Sequence, residues 1–333
     1  MQNWLKRHIW AIGTTMVLLF SSTFVLLDTF VVEHAVVKLD SDTKIATIAS
    51  TNTGGGNTQT LNDTTGPNDI SSVETGMRTS MESVNDSEVI ATAAIDSNSY
   101  QDDHLSIEVT TYDENGVVYY VADIQTDMPE LLRTALANDT YGKNITATTS
   151  SIASAHDVIL AINGDYYGFR DLGYVARNGV LLRSSVLSPT TEDLIIDQDG
   201  NLSIAYEGDY DAEEAVENGA VDILSFGPAL VIDGETVDRV TQNSEKNNPR
   251  TAIGQIGEGH YVFIVVDGRT SQSTGVTLDA LAQICFNLGC ETAYNLDGGG
   301  SSTLYFNGEV INNPTDGRNY GERKVSDIVY FGY

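Results

Sequence analysis

The segment with the most groups that could do chemistry covers residues 294–303 and reads YNLDGGGSST. Three consecutive glycines between predicted strands are costly in backbone entropy, and such a run lets backbone N–H groups approach an anion closely. A glycine-rich bulge is the purely structural interpretation. Because Asp297 directly precedes the run, we favour a functional one. The candidate ligands in this segment are Asn295, Gly298, Gly299, Gly300, Ser301 and Ser302.

Three other segments place polar residues where strand patterns end. AINGDYYGFR carries Asn163 and Asp165 after an apolar run, NPRTA carries Arg250, and VVDGR carries Asp267 and Arg269. Arginine grips phosphates through its planar fork of donors, and carboxylates serve as acids or bases. Taken alone, the first segment is better explained by a turn and the second by a surface ion pair, while the third fits an ion pair and a functional role equally well. Together the four segments are the candidate site.

The elements that must position these residues are mostly turn-linked strands. Leu105–Thr111 and Val117–Ile124 flank the turn sequence DENG, which predicts a hairpin. Thr277–Leu288 has one apolar face and predicts a helix, and Pro129–Ala137 predicts a short one that begins at a proline. Further strands are predicted at Val158–Ile162, Thr251–Ile256, Tyr261–Val266, Thr292–Asn295, Ser302–Phe306 and Asp327–Phe331. Since hairpins dominate and helices do not alternate with strands, we predict an α+β domain with a largely antiparallel or mixed sheet.

The N-terminus predicts a membrane anchor. Ile9–Leu27 is a run of 19 residues without a charge, long enough to span a bilayer as one helix. Lys6 and Arg7 precede it, so the positive-inside rule places residues 1–8 in the cytoplasm and the rest outside. A cleaved signal peptide is the alternative. We favour an uncleaved single-pass anchor, because no small-residue cleavage site precedes Asp28.

The chain between the anchor and the domain predicts a flexible tether. Residues 28–101 include a long stretch rich in Ser, Thr, Asn, Asp and Gly, such as TNTGGGNTQT. Such composition buries too little apolar surface to offset the entropy of ordering. Near Asp102 the composition changes to runs rich in strand-forming residues, so we place an extracytoplasmic domain at residues 102–333.

Charge and cysteine content narrow the classes of function. The 333 residues include 47 acidic and 17 basic ones, a net charge of -30, which argues against a nucleic-acid partner. Cys285 and Cys290 lie too far apart for a bridge within one helix, but Gly289 could end the helix between them. We prefer a small local disulfide, with two buried thiols as the alternative. No cofactor is predicted. So acidic a domain could bind a divalent cation, although no ligand spacing indicates one, and no paired Cys or His indicates zinc.

The ordered set of segments resembles a known family. NGDYYG, NPRTAIG, VVDGRTSQSTGVTLDALAQICFNLGC and AYNLDGGGSSTLYFNG, in this order, are similar to the phosphodiester glycosidase family over residues 159–333. Each element alone is weak, and the ordered set is specific. The resemblance implies hydrolysis of the glycosidic bond of a sugar-1-phosphodiester, without identifying the sugar. With the predicted anchor, it suggests cell-envelope or exopolysaccharide material as the source of the substrate.

A mechanism consistent with this resemblance starts with the phosphodiester charge. Arg250, Arg269 and the amides of Gly298–Gly300 would hold that charge and stabilise it as the phosphate departs. A phosphate leaves readily, so strong general-acid help is less necessary than for an alcohol.

A carboxylate is still needed to activate water or to stabilise an oxocarbenium-like state. Asp297 is the first candidate, followed by Asp267 and Asp165. Asn163 and Asn295 would hydrogen-bond the sugar or the phosphate.

Two other classes of function remain open at this point. A non-catalytic carbohydrate-binding or envelope-assembly module would keep the loops and turn nothing over. A metal-dependent phosphodiesterase that cleaves P–O would need clustered His and Asp ligands. His104, His156 and His260 are not spaced as ligand pairs, so we interpret them as surface or structural residues.

Overall fold

The computed structural model of the chain describes residues 37–38, 94–95, 98–237 and 246–333. The strands there are β1 (Val37–Lys38), β2 (Ala94–Ile95), β3 (Ser99–Gln101), β4 (Leu105–Glu114), β5 (Val117–Thr126), β6 (Leu132–Leu136), β7 (Thr140–Tyr141), β8 (Val158–Asn163), β9 (Val175–Arg177), β10 (Val180–Arg183), β11 (Glu192–Asp197), β12 (Leu202–Tyr206), β13 (Ala220–Leu224), β14 (Ala229–Ile232), β15 (Glu235–Thr236), β16 (Arg250–Gly257), β17 (His260–Val266), β18 (Thr292–Leu296), β19 (Leu304–Phe306), β20 (Glu309–Val310), β21 (Thr315–Asp316), β22 (Asn319–Tyr320) and β23 (Asp327–Gly332).

Helices are few and short in these residues. The α-helices are α1 (Thr149–Ala153), α2 (Ala212–Glu217) and α3 (Leu278–Asn287). Single 3-10 turns occur at Pro129–Leu131, Ala137–Asp139, Tyr167–Phe169 and Gly299–Ser301.

The strands form one large sheet and two smaller ones, with two separate two-stranded pairs. The large sheet has nine strands in the order β15-β14-β18-β16-β17-β5-β4-β3-β2. The five-stranded sheets have the orders β20-β19-β8-β23-β6 and β10-β9-β13-β11-β12. Every pairing between described strands is antiparallel. The predicted antiparallel sheet with few helices is therefore confirmed.

The central strands β16, β17 and β18 of the nine-stranded sheet are buried on both faces, which explains their near-continuous hydrophobic sequences. Along β17, Phe263 and Val265 pack into the main core with residues of the two smaller sheets. Their neighbours Val262 and Ile264 point the other way and pack with α3. Because side chains alternate across a strand, one apolar strand serves two layers.

The first long hairpin follows the sequence prediction. β4 and β5 pair along their whole length, from Leu105 opposite Thr126 to Glu114 opposite Val117. The two loop residues between them, Asn115 and Gly116, have φ angles of 55° and 76°. Positive φ at both positions matches a type I′ turn, whose twist suits a hairpin.

Helix α3 begins and ends as its sequence predicts. The Thr277 side chain accepts a hydrogen bond from the Ala280 N–H, which caps the first turn. At the other end Gly289 has φ of 85°, and the Cys290 N–H donates to the Cys285 carbonyl. This is a Schellman motif, which packs the residues on either side of the glycine together. Both cysteines are buried free thiols, so the preferred disulfide is wrong.

The predicted short helix at Pro129–Ala137 is also wrong. Only Pro129–Leu131 forms a 3-10 turn, and the chain then enters β6. The five residues of β6 pair with β23, and four of them are buried. Sheet pairing with its burial therefore outweighs the local helix preference that the proline indicates.

The N-terminal predictions fall mostly on other residues. No helix in the described part of the chain is both long and apolar enough to cross a bilayer, and the predicted anchor at residues 9–27 lies outside that part. Within the predicted tether, β1 pairs with β7, and β3 pairs with β4. The nine-stranded sheet thus takes in strands that precede residue 102.

Candidate active site

Three strand ends meet at one edge of the nine-stranded sheet. β16 starts there at Arg250, while β17 and β18 end there at Val266 and Leu296. Thr251 pairs with Val265 on one side and with Leu296 on the other, which fixes the register. The DGR and DGGG segments therefore leave the sheet on either side of Arg250.

Asn163, at the end of β8, ties these loops together. Its Nδ2 donates to the Asp297 carbonyl at 2.6 Å, and its Oδ1 accepts from Thr251 Oγ1 at 2.8 Å and from the Thr303 N–H at 3.3 Å. The side chain is fully buried. Its bonds to the protein give it a positioning role rather than direct contact with a substrate.

The glycine run forms a tight turn against two neighbouring segments. Gly299 has φ of 64°, and its N–H donates to the Pro249 carbonyl at 2.9 Å. The Gly298 N–H bonds to the Asp297 carboxylate. A Cβ on Gly299 would lie 3.0 Å from Nη2 of Arg269. Two of the glycine amides therefore hold the turn itself, and the lack of side chains admits a guanidinium.

Arg250 and Arg269 lie on one side of this turn. Arg250 is half-buried and donates to the carbonyls of Val276 at 3.2 Å and Lys246 at 3.1 Å. Arg269 is exposed, with φ of 62°, and its Nη2 donates to Asn248 Oδ1 at 3.3 Å. Burial and the charge of Arg269 lower the pKa of Arg250 below its usual value. Two like charges held this close favour a bound anion.

Arg323 lies on the other side and was missed by the sequence analysis. Its N–H donates to the Gly300 carbonyl at 3.0 Å, and its Nε and Nη2 donate to Asp316 Oδ1 at 3.0 and 2.8 Å. A Cβ on Gly300 would lie 2.8 Å from this guanidinium. Its stretch, NYGERK, carries no signal of its own, so only the fold reveals that Arg323 borders the turn.

Asp297 is the least buried of the three candidate carboxylates. Burial raises its pKa, although bonds from Ser301 Oγ and the Gly298 N–H and the charge of Arg323 act in the opposite direction. The Ser301 bond is 2.6 Å long. A half-buried carboxylate with a raised pKa is a better base than an exposed one.

Asp267 is more enclosed. Its Oδ1 accepts from Asn312 Nδ2 at 3.0 Å and from the Asn313 N–H at 3.1 Å, and its Oδ2 accepts from the Tyr120 hydroxyl at 3.4 Å. Burial raises its pKa above the usual range. These contacts fix the segment that follows β20, so Asp267 shapes the edge of the site.

Asp165 belongs to a different, fully buried cluster. Its Oδ2 accepts from Arg177 Nη2 at 3.0 Å and from the Ser225 N–H at 3.1 Å, and its Oδ1 accepts from the Tyr167 N–H at 2.7 Å. Burial alone would raise its pKa, but the charges of Arg177 and Arg170 and these backbone donors lower it. Because both carboxylate oxygens of Asp165 accept hydrogen bonds inside the protein, its role is to support the structure of the site.

Arg177 is the centre of that cluster, and the sequence analysis missed it as well. Its Nε and Nη2 donate to Asp327 Oδ2 at 3.0 and 2.7 Å, and its Nη1 donates to the Ala176 carbonyl. Burial raises the pKa of Asp327 to about 7 despite Arg177. A charged residue at the end of a buried strand in VARNG was the available signal.

Three polar atoms beside the turn have no hydrogen-bond partner among the residues that the structure describes. They are Asn295 Oδ1, Ser302 Oγ and Thr303 Oγ1, all on buried side chains. Asn295 Nδ2 donates to the Gly227 carbonyl at 2.7 Å, which leaves its oxygen oriented elsewhere. Buried groups of this kind commonly bond a ligand or ordered water.

Each of the three histidines in the described residues contacts an aspartate. The pairs are His104–Asp127 at 3.0 Å, His156–Asp139 at 3.0 Å and His260–Asp123 at 3.1 Å. Among the described residues, no three His, Cys, Asp or Glu side chains are grouped so that they could hold a metal ion.

Comparison with known proteins decides the family. The family model for phosphodiester glycosidase matches residues 156–332, which is more than half of the chain. The chain belongs to the phosphodiester glycosidase family. The matched range contains all of the candidate site residues, and the resemblance stated from sequence motifs is thereby confirmed.

Two kinds of curated relatives match this chain. The SPbeta prophage-derived protein YomE of Bacillus subtilis is 31% identical over 242 residues, which cover 66% of this chain and 37% of that protein. Human N-acetylglucosamine-1-phosphodiester alpha-N-acetylglucosaminidase is 29% identical over 188 residues, which cover 51% of this chain and 36% of that enzyme. The chain thus spans about a third of the length of these relatives.

Solved structures share the fold of this family member. The catalytic domain of zebrafish N-acetylglucosamine-1-phosphodiester alpha-N-acetylglucosaminidase superposes with a TM-score of 0.56 at 22% identity, covering 74% of this chain and 89% of that domain. A Synechocystis protein superposes with a TM-score of 0.51 at 16% identity, covering 69% of this chain and 62% of that one.

Proposed function

We propose that the protein hydrolyses the glycosidic bond of a sugar-1-phosphodiester at the edge where β16, β17 and β18 meet. The observation that carries the proposal is the glycine turn. It presses against the guanidinium of Arg269 and starts at a half-buried carboxylate, Asp297. Membership of the phosphodiester glycosidase family supports this reaction class.

In this mechanism the arginines hold the phosphodiester. Arg250, Arg269 and Arg323 surround the turn, and their donors suit the phosphate oxygens. As the bond between the anomeric carbon and the phosphate oxygen breaks, the phosphate takes the electron pair and gains negative charge. Guanidinium groups already in place stabilise that charge without reorganisation.

Asp297 accepts a proton from the attacking water. The water oxygen forms the new bond to the anomeric carbon, and the products are a free sugar and a phosphate monoester. The raised pKa of Asp297 strengthens it as a base, and the Ser301 hydroxyl orients one carboxylate oxygen. Asp267 and Asp165 have bonds that hold loops, which makes Asp297 the preferred reacting group.

The test starts with the purified full-length protein and N-acetylglucosamine 1-(methyl phosphate) in water enriched in oxygen-18. We expect release of free sugar and of methyl phosphate that carries no label, because the glycosidic bond breaks and the bridging oxygen stays with phosphorus. Label in the phosphate product would instead indicate a phosphodiesterase that cleaves P–O. Binding without any release across a panel of sugar-1-phosphodiesters would indicate a carbohydrate-binding module.

Two variants sharpen the test. Asp297→Asn keeps the size of the side chain and removes the base, so turnover should fall by about 10²- to 10⁴-fold while substrate binding changes little. Gly299→Val should weaken binding itself, because φ of 64° disfavours a branched residue and its side chain would displace Arg269. An Asp297→Asn protein with full activity would remove Asp297 from the chemistry.

We also propose that the protein works outside the cell membrane, held by residues 9–27, on cell-envelope or exopolysaccharide material. The uncharged 19-residue run after Lys6 and Arg7 supports the topology, and the net charge of -30 suits an exposed, solvated protein. Protease added to intact cells should release a fragment that contains the domain. Protection of the domain until the cells are lysed would contradict this topology.

A further inference from the structure

The cations of this acidic protein are concentrated around the glycine turn. Four segments meet there: residues 246–256, 268–278, 298–308 and 313–324. They carry two acidic residues, Asp316 and Glu322, and five more directly adjoin their ends: Glu245, Asp267, Asp279, Asp297 and Glu309. Their cationic residues are Lys246, Arg250, Arg269, Arg318, Arg323 and Lys324. In a chain with 47 acidic and 17 basic residues, six cations gathered on these segments mark a surface for an anion.

Contacts show that these segments form one continuous surface. A Cβ on Gly268 would lie 2.8 Å from the Pro249 nitrogen, so the first two segments touch. Thr315 Oγ1 donates to the Gly268 carbonyl at 3.0 Å, which seats the hairpin of β21 and β22 beside them. The Arg323 N–H reaches Gly300 in the turn. The positive charge is therefore a property of the assembled edge.

The two acidic residues are already engaged. Asp316 accepts two bonds from Arg323, and Glu322 accepts from the Ser150 N–H at 2.9 Å and from the Ser150 hydroxyl. Arg318 lies at the exposed tip of the β21–β22 hairpin, two residues from Asp316. No carboxylate of the described residues pairs with it.

The cations extend on both sides of the turn, further than one phosphate needs. Lys246 is exposed and its carbonyl accepts a bond from Arg250, so it lies on the Arg250 side. Arg318 lies on the Arg323 side. A single phosphodiester carries one charge, and the inner arginines suffice to hold it. The outer pair, Lys246 and Arg318, lies on two different segments and would reach groups of the substrate beyond that phosphate.

We propose that the substrate is a chain of sugars joined by phosphodiesters, and that Lys246 and Arg318 bind the phosphates on either side of the one that is cleaved. This inference rests on the proposed function, since it extends the same site. A sugar–phosphate chain is favoured over a nucleic acid because the protein is strongly acidic outside this edge, which would repel a long duplex or strand. Exposed cations contribute modestly to affinity and more to the choice of partner.

The experiment measures binding by calorimetry, separately from sugar release. The probes are C-phosphonate analogues, in which a methylene replaces the anomeric oxygen, of N-acetylglucosamine 1-(methyl phosphate) and of a 1,6-phosphodiester-linked N-acetylglucosamine tetramer. The proteins are the full-length parent, Lys246→Gln/Arg318→Gln, and the control Arg133→Gln/Lys143→Gln. The control removes the same two charges at other places, where Lys143 pairs with Asp171.

We expect the parent to prefer the tetramer, and the preference to fall about fivefold in Lys246→Gln/Arg318→Gln alone. Since the tetramer offers several binding registers, the change between variants is the readout rather than the absolute preference. Affinity for the single-phosphate probe should be equal in all three proteins. An equal preference in the parent and the outer-pair variant would overturn the proposal.

Two more outcomes are decisive. An oligothymidylate with the same number of phosphates that competes as well as the tetramer would assign the surface to nucleic acid and overturn the proposal. Parallel assays with hydrolysable esters separate the two hypotheses. If the preference for the tetramer depends on Lys246 and Arg318 but no sugar is released, the proposed function is overturned and the proposed binding surface stands. If sugar is released but the tetramer is not preferred, the proposed function stands and the proposal of a sugar–phosphate chain as substrate is overturned.

Discussion

Two groups of charged residues are in contact through Gly164 and differ in burial and in hydrogen bonding: a buried cluster around Arg177, and an open cluster of Arg269 and Asp297 at the glycine turn. Arg177 is fully buried, and its donors bond Asp165, Asp327 and backbone carbonyls. Arg269 is exposed and has φ of 62°, and its one hydrogen bond within the described part of the chain is the 3.3 Å bond to Asn248. Gly164 separates the clusters, because its carbonyl accepts from the Asp297 N–H, and a Cβ there would lie 2.4 Å from Asp327.

The difference shows that an arginine has one of two roles, depending on its burial and on how many of its donors already form hydrogen bonds. A buried arginine with all of its donors engaged has nothing left to offer a ligand, but its charge compensates carboxylates that could not otherwise remain ionised in the interior. An exposed arginine with donors to spare contributes little to stability and can bind an incoming phosphate. The buried cluster around Arg177 therefore supports the structure that carries the open cluster.

The largest expected effect comes from breaking the buried cluster. Arg177→Gln leaves Asp165, Asp327 and Asp222 in the interior without a compensating charge, so the free energy of unfolding should fall by about 3–5 kcal/mol. Chemical denaturation measures it, with the exposed pair of Lys143 and Asp171 as control. Lys143→Gln should cost less than about 1 kcal/mol. An Arg177→Gln protein with unchanged stability and no turnover would move Arg177 into the chemistry.

A smaller effect, on activity alone, is expected for the open cluster. Arg269→Ala removes a charge-assisted bond to phosphate worth about 1.5–3 kcal/mol, so kcat/KM should drop by about 10- to 100-fold. Thermal stability should hardly change, because the side chain is exposed. Arg269→Lys should restore only part of the activity, since the fork of donors is lost.

Arg269 is the cleaner probe of the two arginines beside Gly299. Arg250 also bonds the carbonyls of Val276 and Lys246, so its removal would loosen the segment before β16. Arg133→Ala, at a surface position on β6, is the matched control and should leave kcat/KM unchanged. Full activity of Arg269→Ala would make it an ordinary surface residue.

The smallest expected effect is on the pH dependence of protein stability, through Asp193, which lies next to the buried cluster. Asp193 accepts from Ser225 Oγ at 2.5 Å and from the Tyr210 hydroxyl at 2.6 Å, and burial raises its pKa to about 7. The folded protein thus holds this proton more tightly than the unfolded chain. The resulting stability is complete below about pH 4 and is lost as the pH rises towards 7.

Asp193→Asn should therefore flatten the decline in stability between pH 5 and pH 7 by about 1 kcal/mol per pH unit. Asp327, whose pKa is also raised to about 7, keeps part of the slope in that variant. Denaturation midpoints across this pH range give the measurement, with exposed Asp113→Asn as control. Identical slopes in the parent and in Asp193→Asn would show that Asp193 is already ionised when folded.

Local patterns were sufficient for the elements with strong short-range signals. The Asn115-Gly116 turn specifies its hairpin because both residues tolerate positive φ. Thr277 and Gly289 specify the ends of α3 through capping. The same patterns were insufficient at Pro129–Ala137, where pairing with β23, about 190 residues away along the chain, decides for a strand.

By itself the sequence determined the antiparallel class, the family motifs and the candidate residues, because turn chemistry, alternation and residue type are local properties. Tertiary structure alone decided their roles. Asp165 and Asp297 look alike in sequence, each at the end of a strand, yet one is saturated by Arg177 and the other stays half-buried beside Arg323. Arg177 follows Asp165 by 12 residues and Arg323 follows Asp297 by 26 residues. Neither arginine lies in a motif that links it to its aspartate. Burial and charge at a site depend on which distant segments pack there, and only the assembled sheets bring those segments together.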